Sequence, residues 1–348
     1  MQLPRPRGPL SSQVVDALRD GPRAGSLGPD GGQGSATPAG GHGVLADDDL
    51  QVALWMLYEL HYRGFDDVPD DREWDPELLR LRAGLEELLE RELRERTADT
   101  VAEAVDSAGD VAERLVELVE SADGPPVAGY LQREATREQV VEFLRQRSVY
   151  HLKESDPYSF VLSRLDGPAK VALAELQYDE FGSGRPERLH QTMFGDALEG
   201  SGLDRRSGAY VDEATAETLA TSNVASLFCL NRRLRGAAMG HFAAFESTSS
   251  VPCRKIVRGI TRVGLPGVVA AYFEEHVEAD AVHEQVAVRH ICGRLTEQEP
   301  QLTEDVFFGA ASCLLVDATA GERLLCAWQE AAEGSGTGSV SAREGGAA

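Results

Sequence analysis

The sequence predicts an all-α protein. Apolar residues recur at helical spacing along most of the chain, helix-capping residues precede several of these runs, and no run of alternating apolar and polar residues indicates a β-strand. With 348 residues and 42% hydrophobic content, the chain is long enough to bury a core of ordinary size. We therefore expect one large or two smaller helical domains.

The two ends of the chain differ in composition from its middle. Residues 1–45 and 334–348 are rich in Gly, Ser and Ala, and the first segment also in Pro. Such segments bury too little apolar surface to offset the entropy of ordering, so both are predicted to be flexible tails. A Gly-Pro-Pro break at residues 124–126 separates a predicted N-terminal helical region, 46–125, from a second helical domain, 130–333.

Capping signals place the first helices of both regions. Asp75 is an N-cap residue followed by Pro76 at the first helical position, and leucines follow at helical spacing. Thr136 and Gln139 form a capping box ahead of another apolar run. Further helices are predicted by the same periodicity at 168–181, 186–198, 212–247, 251–263, 266–291 and 319–332.

Charge and cysteine content exclude several classes of protein. A net charge of −24 and a pI near 4.7 disfavour partners such as nucleic acid or anionic membranes, so a small molecule or a protein is the expected partner. Five scattered cysteines without a CxxC pair indicate neither a disulfide framework nor a cysteine-rich zinc site. No signal peptide or membrane span is evident, and the cytoplasm is the expected compartment.

A trio of polar residues near the C-terminus carries the strongest chemical signal. His276, Asp280 and His283 lie within about 60° of one another on a single helix face. Apolar residues such as Tyr272 and Phe273 extend the same face, which is therefore buried. Unpaired charge is costly there, and a metal ion would satisfy all three side chains. Core histidines paired with a carboxylate are the alternative.

Other helices are expected to supply the remaining metal ligands. Glu180 lies four residues after Leu176, and Glu154 lies four residues after Tyr150, so each falls on the apolar side of its segment. His190 precedes further apolar residues at helical spacing. For each of the three, a surface position or an ordinary buried hydrogen bond is the alternative.

The complete set contains three carboxylates and three imidazoles. Such ligands suit iron or manganese, and the absence of thiolates disfavours structural zinc and iron–sulfur clusters. Six ligands are too many for one catalytic ion with open positions, but they suit two ions that share a bridging carboxylate and leave room for O2. A redox-inert metal is the alternative.

Two further groups of residues compete for roles in the site. Glu187 with His190 spells ExxH, the spacing of ferritin-like diiron bundles, and is the rival of Glu180 as a ligand. We favour Glu180 because the run 181–184 is expected to break the helix and turn both Glu180 and His190 inward. Arg254, Arg258 and Arg262 could hold a substrate carboxylate, with a solvated basic face as the alternative.

With this set of residues, the sequence resembles the haem-oxygenase-like diiron oxidases and oxygenases, also called iron-containing redox enzymes. The resemblance covers most of residues 45–333. It rests on an HxxxDxxH motif, on a Glu and a His ten residues apart, and on another Glu 26 residues earlier, which are His276, Asp280, His283, Glu180, His190 and Glu154.

The resemblance implies a helical scaffold like that of haem oxygenase with an additional N-terminal helical layer. It implies two Fe(II)/Fe(III) ions in place of haem, O2 as co-substrate and a homodimer. The expected activity is oxidation, for example N-oxygenation, of a small amino-acid-like or amine substrate in secondary metabolism, with an external electron donor possible. Oxidative C–C cleavage or decarboxylation of a fatty or amino acid, and non-enzymatic ferritin-like iron binding, are the alternatives. No catalytic residue beyond the metal ligands is assigned.

Overall fold

The computed structural model describes residues 1–22 and 43–336, without the side chains of 278–281 and 334–336. Within these residues the chain forms helices, turns and loops and contains no strand, which confirms the all-α prediction. No helix in the described ranges combines the length and apolar character that a membrane span requires.

The α-helices are numbered along the chain. In the N-terminal part they are α1 (Pro9–Asp20), α2 (Asp48–Glu59), α3 (Pro76–Asp106) and α4 (Val111–Glu120). The middle of the chain forms α5 (Val127–Arg133), α6 (Arg137–His151), α7 (Asp156–Leu162), α8 (Gly167–Glu180), α9 (His190–Gly200) and α10 (Ala216–Leu230). The last helices are α11 (Arg235–Arg262), α12 (Gly267–Gln285), α13 (Arg294–Gln298) and α14 (Thr303–Gly336). A π-helical segment, Val286–Gly293, joins α12 to α13.

The predicted flexible tail at residues 1–45 is wrong for the described residues 1–22 and 43–45. Pro9 starts α1, and the Asp49 carboxylate on α2 accepts hydrogen bonds from the backbone amides of Leu10 and Ser11. The side chains of Val14 and Leu18 are fully buried. Burial of these apolar residues against α2 offsets the entropy of ordering that composition alone indicated. Residues 23–42 lie outside the described part of the chain.

The N-terminal helices share a core with the rest of the bundle. Buried residues of α1–α4 belong to the same apolar cluster as those of α8, α10 and α14. The predicted caps are present, because Asp75 accepts from the amides of Glu77 and Leu78 and Thr136 pairs reciprocally with Gln139. Residues 124–126 separate α4 from α5, as the Gly-Pro-Pro break predicted. Of the predicted C-terminal tail 334–348, residues 334–336 extend α14 and 337–348 lie outside the described residues.

Three predicted helices have clearly different bounds, at 212–247, 251–263 and 319–332. The last of them is the end of α14, which already begins at Thr303. The run 212–247 is interrupted at Asn231. Its extended backbone ends α10, and its side-chain Nδ2 atom donates to the Leu227 carbonyl. Arg164 also donates to carbonyls at this helix end. In contrast, the expected gap between 247 and 251 does not exist, because α11 continues through Pro252. The Thr248 hydroxyl donates to the Ala244 carbonyl just before the proline.

Helices α11 and α14 form the tightly packed centre of the bundle. A Cβ atom at Gly240 would lie 1.8 Å from the Val306 carbonyl oxygen, and one at Gly309 would lie 1.9 Å from the Ala237 oxygen. Only glycine permits this approach of two backbones. The close packing brings the middle of α11 against the core and fixes where Glu246, further along the same helix, enters the interior.

Candidate metal centre

Four elements around the bundle interior position five of the candidate ligands predicted from the sequence. Glu154 lies in the turn between α6 and α7, Glu180 is the last residue of α8, and His190 is the first residue of α9. His276 and His283 lie on α12. All five side chains are buried, with 3–5% of their surfaces exposed. The structure therefore brings together five of the six residues singled out in the sequence.

The first group consists of Glu154, His190 and His276. Their potential ligand atoms all lie within 4.8 Å of one another. His276 Nε2 is 3.7 Å from Glu154 Oε2, and the rings of His190 and His276 are 4.5 Å apart between centroids. One carboxylate and two imidazoles thus converge on a volume suited to a single metal ion.

The second group consists of Glu180, Glu246 and His283, whose potential ligand atoms also lie within 4.8 Å of one another. His283 Nδ1 lies 3.4 Å from Glu180 Oε1 and 3.3 Å from Glu246 Oε2. The two groups adjoin, because Glu180 Oε2 is also 3.1 Å from Nδ1 of His190 in the first group. Glu180 therefore lies between the two groups, within 3.5 Å of one imidazole of each.

Glu246 was not among the residues singled out in the sequence. It lies on α11 with 5% of its surface exposed, three residues after Ala243 and four after Phe242, which are also buried. A lone carboxylate on an apolar helix face was the signal that identified Glu180, and the same signal would have identified Glu246. Asp280 lies on α12 between His276 and His283, but its side chain is outside the described part of the chain.

The electrostatics of the groups reflect mutual pairing. Burial alone would raise the pKa of Glu154, but the charges and hydrogen bonds of His151 and His276 hold it well below its usual value. Burial alone would lower the pKa of His283, but hydrogen bonds and charge from Glu180 and Glu246 raise it to about 11. In the metal-free chain, Glu154 is thus ionised and His283 carries a proton. The positive charge of that proton lies at a position where a metal cation would also be favoured.

The loop between α8 and α9 turns two of the ligands inward. Gly182 has a φ of +79°, and a Cβ atom there would lie 2.4 Å from the Arg185 carbonyl oxygen. Helix α8 ends at Glu180, as the expected break at 181–184 predicted, and both Glu180 and His190 face the interior. Glu187 lies in the exposed part of this loop and joins neither group.

Hydrogen bonds from neighbouring residues orient the ligand atoms. His276 Nδ1 donates to the Tyr272 carbonyl at 2.7 Å, which turns Nε2 toward Glu154. The Tyr272 hydroxyl donates to Glu154 Oε2 at 2.7 Å, and His151 Nδ1 lies 3.0 Å from Oε1 of the same carboxylate. The Ser155 hydroxyl donates to Glu180 Oε2 at 2.7 Å. Such contacts commonly fix the tautomer and orientation of metal ligands.

A cavity of about 1220 Å³, here called the central cavity, reaches the first group. Its wall includes His151, Glu154, Phe245, Tyr272 and His276. The arginines considered in the sequence do not line it, because Arg254, Arg258 and Arg262 are exposed on α11 and Arg262 donates to backbone carbonyls at the end of α5. Of the two alternatives for these arginines, the exposed basic face therefore agrees with the structure, and the substrate-carboxylate role does not.

The described side chains fit an iron centre. Oxygen and nitrogen ligands without thiolate suit iron, and the number of buried carboxylates calls for a compensating positive charge. Glu180 and Glu246 converge on one imidazole, and burial together with the Glu180 charge raises the pKa of Glu246. A pair of divalent cations would offset the repulsion between the two carboxylates. The binding of metal by these residues stays a prediction.

A curated protein and a solved structure each match part of this chain. Nitrosourea synthase from Streptomyces achromogenes subsp. streptozoticus is 26% identical over 203 residues, which cover 58% of this chain and 41% of that protein. The chain thus spans less than half the length of this curated relative. A crystal structure of a CADD-like protein of unknown function from Nostoc punctiforme is 17% identical, covers 67% of this chain and 97% of that one, and has a TM-score of 0.46.

The sequence profile of one family covers the candidate metal centre. The profile described as "Iron-containing redox enzyme" matches residues 141–318, which is just over half of the chain. This interval contains Glu154, Glu180, His190, Glu246 and the whole of α12. The chain belongs to the haem-oxygenase-like family of iron-containing redox enzymes.

Proposed function

We propose that the protein is a non-haem diiron oxygenase or oxidase that uses O2 to oxidise a small amino-acid-like or amine substrate. The observation that carries the proposal is the adjacency of the two ligand groups, joined by Glu180 between His190 and His283. A single structural ion would need only one of the groups, whereas two adjoining groups suit a pair of ions with a bridging carboxylate.

When bound, two ferrous ions would supply the electrons that reduce O2. The residues of the protein would hold and orient these ions. Glu154, His190 and His276 would bind one ion, and Glu180, Glu246 and His283 would bind the other. Asp280 remains a proposed ligand from its place in the HxxxDxxH motif.

The surroundings of the first group support chemistry on an organic substrate. Phe245 and Tyr272 form an apolar wall of the central cavity beside Glu154 and His276, so this cavity can hold a small molecule next to the metal centre and exclude water from it. The Tyr272 hydroxyl keeps its proton and donates it in the hydrogen bond to Glu154. Burial, and after it the charge of Glu154, raise the pKa of Tyr272 well above the usual value.

The similarity to nitrosourea synthase supports an amine or amino-acid-like substrate, and hence N-oxygenation as the reaction class. We also propose that the enzyme acts in the cytoplasm in secondary metabolism, as a homodimer, with an external electron donor. Light scattering tests the dimer, and a monomer at micromolar concentration would contradict it.

The central experiment measures iron and O2 on the same sample. Protein reconstituted anaerobically with ferrous iron is expected to hold about two ions per chain and to consume O2 faster with a suitable amine or amino acid. Two bound ions without any substrate-dependent O2 consumption would favour ferritin-like iron binding. Consumption stimulated by fatty acids alone, with loss of CO2, would instead favour oxidative decarboxylation.

A further inference from the structure

A half-buried arginine and an exposed aspartate form an ion pair in the lining of the central cavity. Arg147 lies on α6 and Asp317 on α14, and Arg147 Nη1 donates to Asp317 Oδ1 at 2.7 Å. Both residues line the central cavity and also an apolar side pocket of about 320 Å³. The pair therefore lies where the two spaces meet.

Arg147 retains capacity to bind an anion. Its Nε atom is buried and has no hydrogen-bond acceptor among the described residues, while Nη1 is held by Asp317. The guanidinium lies 5.8 Å from the Phe143 ring centroid, which limits its orientation. A guanidinium binds a carboxylate through two parallel N–H groups, so its Nε edge is suited to a ligand carboxylate.

The position of Arg147 relates it directly to the candidate metal centre. It lies one helical turn before His151 on α6, and His151 contacts the Glu154 carboxylate. Four residues of α-helix correspond to a rise of about 6 Å, so Arg147 and His151 are separated by about this distance along the axis of α6. A ligand held at Arg147 thus lies beside the wall that leads to Glu154 and His276.

Asp317 adds the complementary charge. Its side chain is 60% exposed, and its Oδ1 atom accepts the bond from Arg147. A carboxylate in this position can accept hydrogen bonds from an ammonium group. Together, an arginine edge and an adjacent carboxylate match the two charged groups on the α-carbon of an amino acid.

We propose that Arg147 and Asp317 bind the α-carboxylate and α-ammonium groups of an amino acid substrate. Its side chain then lies in the central cavity and extends toward Glu154 and His276. The inference rests on the proposed function for the oxidation itself, but it names the substrate class. Lys255 also lines the central cavity, yet it does not line the side pocket and so is not at the junction.

Calorimetry on the full chain, with and without ferrous iron under anaerobic conditions, tests the proposal. The probes are L-phenylalanine, L-leucine and L-lysine, each compared with the amine that lacks its α-carboxylate and the acid that lacks its α-ammonium group. At least one of the amino acids is expected to bind at least tenfold more tightly than both of its analogues, because each charged group contributes a charge-assisted hydrogen bond.

Variants assign each charged group to its residue. Arg147→Gln is expected to weaken the amino acid at least tenfold while leaving the decarboxylated amine within about twofold. Asp317→Asn is expected to weaken the amino acid and leave the deaminated acid unchanged or tighter. Arg145→Gln and Glu322→Gln remove like charges from the same two helices outside both cavities and are expected to change nothing.

Several results would overturn the inference. These are the absence of binding by all three amino acids at millimolar concentration, equal weakening of amino acid and amine by Arg147→Gln, or a loss of affinity in Lys255→Gln instead. Tighter binding of octanoate than of any amino acid would identify a fatty-acid site. Iron content measured on the same samples separates this inference from the proposed function, because a chain that binds amino acids without binding iron contradicts only the latter.

Discussion

Lys153 and Glu59 form a buried ion pair, in which Nζ and Oε2 are 2.9 Å apart and both side chains are at most 4% exposed. Lys153 precedes Glu154 in the chain, and Glu59 is the last residue of α2. The Lys153 ammonium also lies 4.7 Å from the Tyr62 ring centroid. The N-terminal helices are thus bound directly to the turn that carries a candidate iron ligand.

Replacing Lys153 by Met is expected to destabilise the protein by about 3–5 kcal/mol, because Glu59 would be left as an unpaired buried charge. Denaturant unfolding measures the loss. Adding Glu59→Gln should recover part of it. Lys170→Met, at a half-buried position on α8, serves as the control and is expected to stay within about 0.5 kcal/mol. Equal effects of the two lysine variants would refute a special role for the pair.

The candidate ligands make a prediction about metal content. A variant with both His276→Ala and His283→Ala is expected to retain well below one iron per chain, since it removes an imidazole from each group. Glu180→Ala should also lose iron, whereas Glu187→Ala should keep it, because Glu187 is exposed in the loop. Elemental analysis after anaerobic reconstitution measures both. The opposite ranking of the glutamates would favour the ferritin-like ligand set.

Tyr272 is predicted to tune the first group. Tyr272→Phe removes the hydroxyl that donates to Glu154, and loss of such a neighbour commonly lowers metal affinity 10- to 100-fold. Competition with a ferrous chelator measures this affinity. Tyr178→Phe is a suitable control, because its hydroxyl donates to the Ser183 carbonyl on the exposed side of α8. Unchanged affinity in Tyr272→Phe would show that the hydroxyl does not orient the carboxylate.

His241 is predicted to contribute to acid sensitivity. Burial lowers its pKa to about 4, and its Nδ1 atom lies 2.8 Å from the Tyr158 hydroxyl, with which it forms a buried hydrogen bond. A depressed pKa in the folded state means that this contribution is present above about pH 6.5 and is lost as pH falls toward 4, by about 3 kcal/mol in total.

Urea unfolding of the metal-free chain at pH 7 and at pH 4.5 tests this dependence. His241→Gln is expected to show a smaller loss of stability between the two pH values than the unchanged chain. His290→Gln, at an exposed position, should show the full loss. If both variants lose the same amount, protonation of His241 does not drive acid unfolding.

Local sequence signals were sufficient to predict much of the fold and the inward position of individual candidate ligands. The caps at Asp75 and Thr136 were readable because N-cap chemistry involves only neighbouring residues. The inward position of Glu180 followed from its spacing to apolar residues. The helix α1 was missed because the Gly-rich stretch after it dominated the composition, although Pro9, Val14 and Leu18 carry ordinary helical signals.

Other features depend on tertiary packing and had no local signal. Arg147 resembles any arginine on a half-buried helix until α14 places Asp317 opposite it. The arginines at 254, 258 and 262 had better spacing but face outward. Likewise, the interruption at Asn231 depends on Arg164 and Glu86, which are distant in sequence and bind the helix end in space.

The candidate ligands come from five separate elements, between the turn after α6 and helix α12. Only the folded chain can present them together, so iron would bind the native state and shift the folding equilibrium by mass action. A protein of this kind is expected to become more susceptible to proteolysis when a cell is starved of iron. Its steady-state abundance would then report the iron supply without any change in its synthesis.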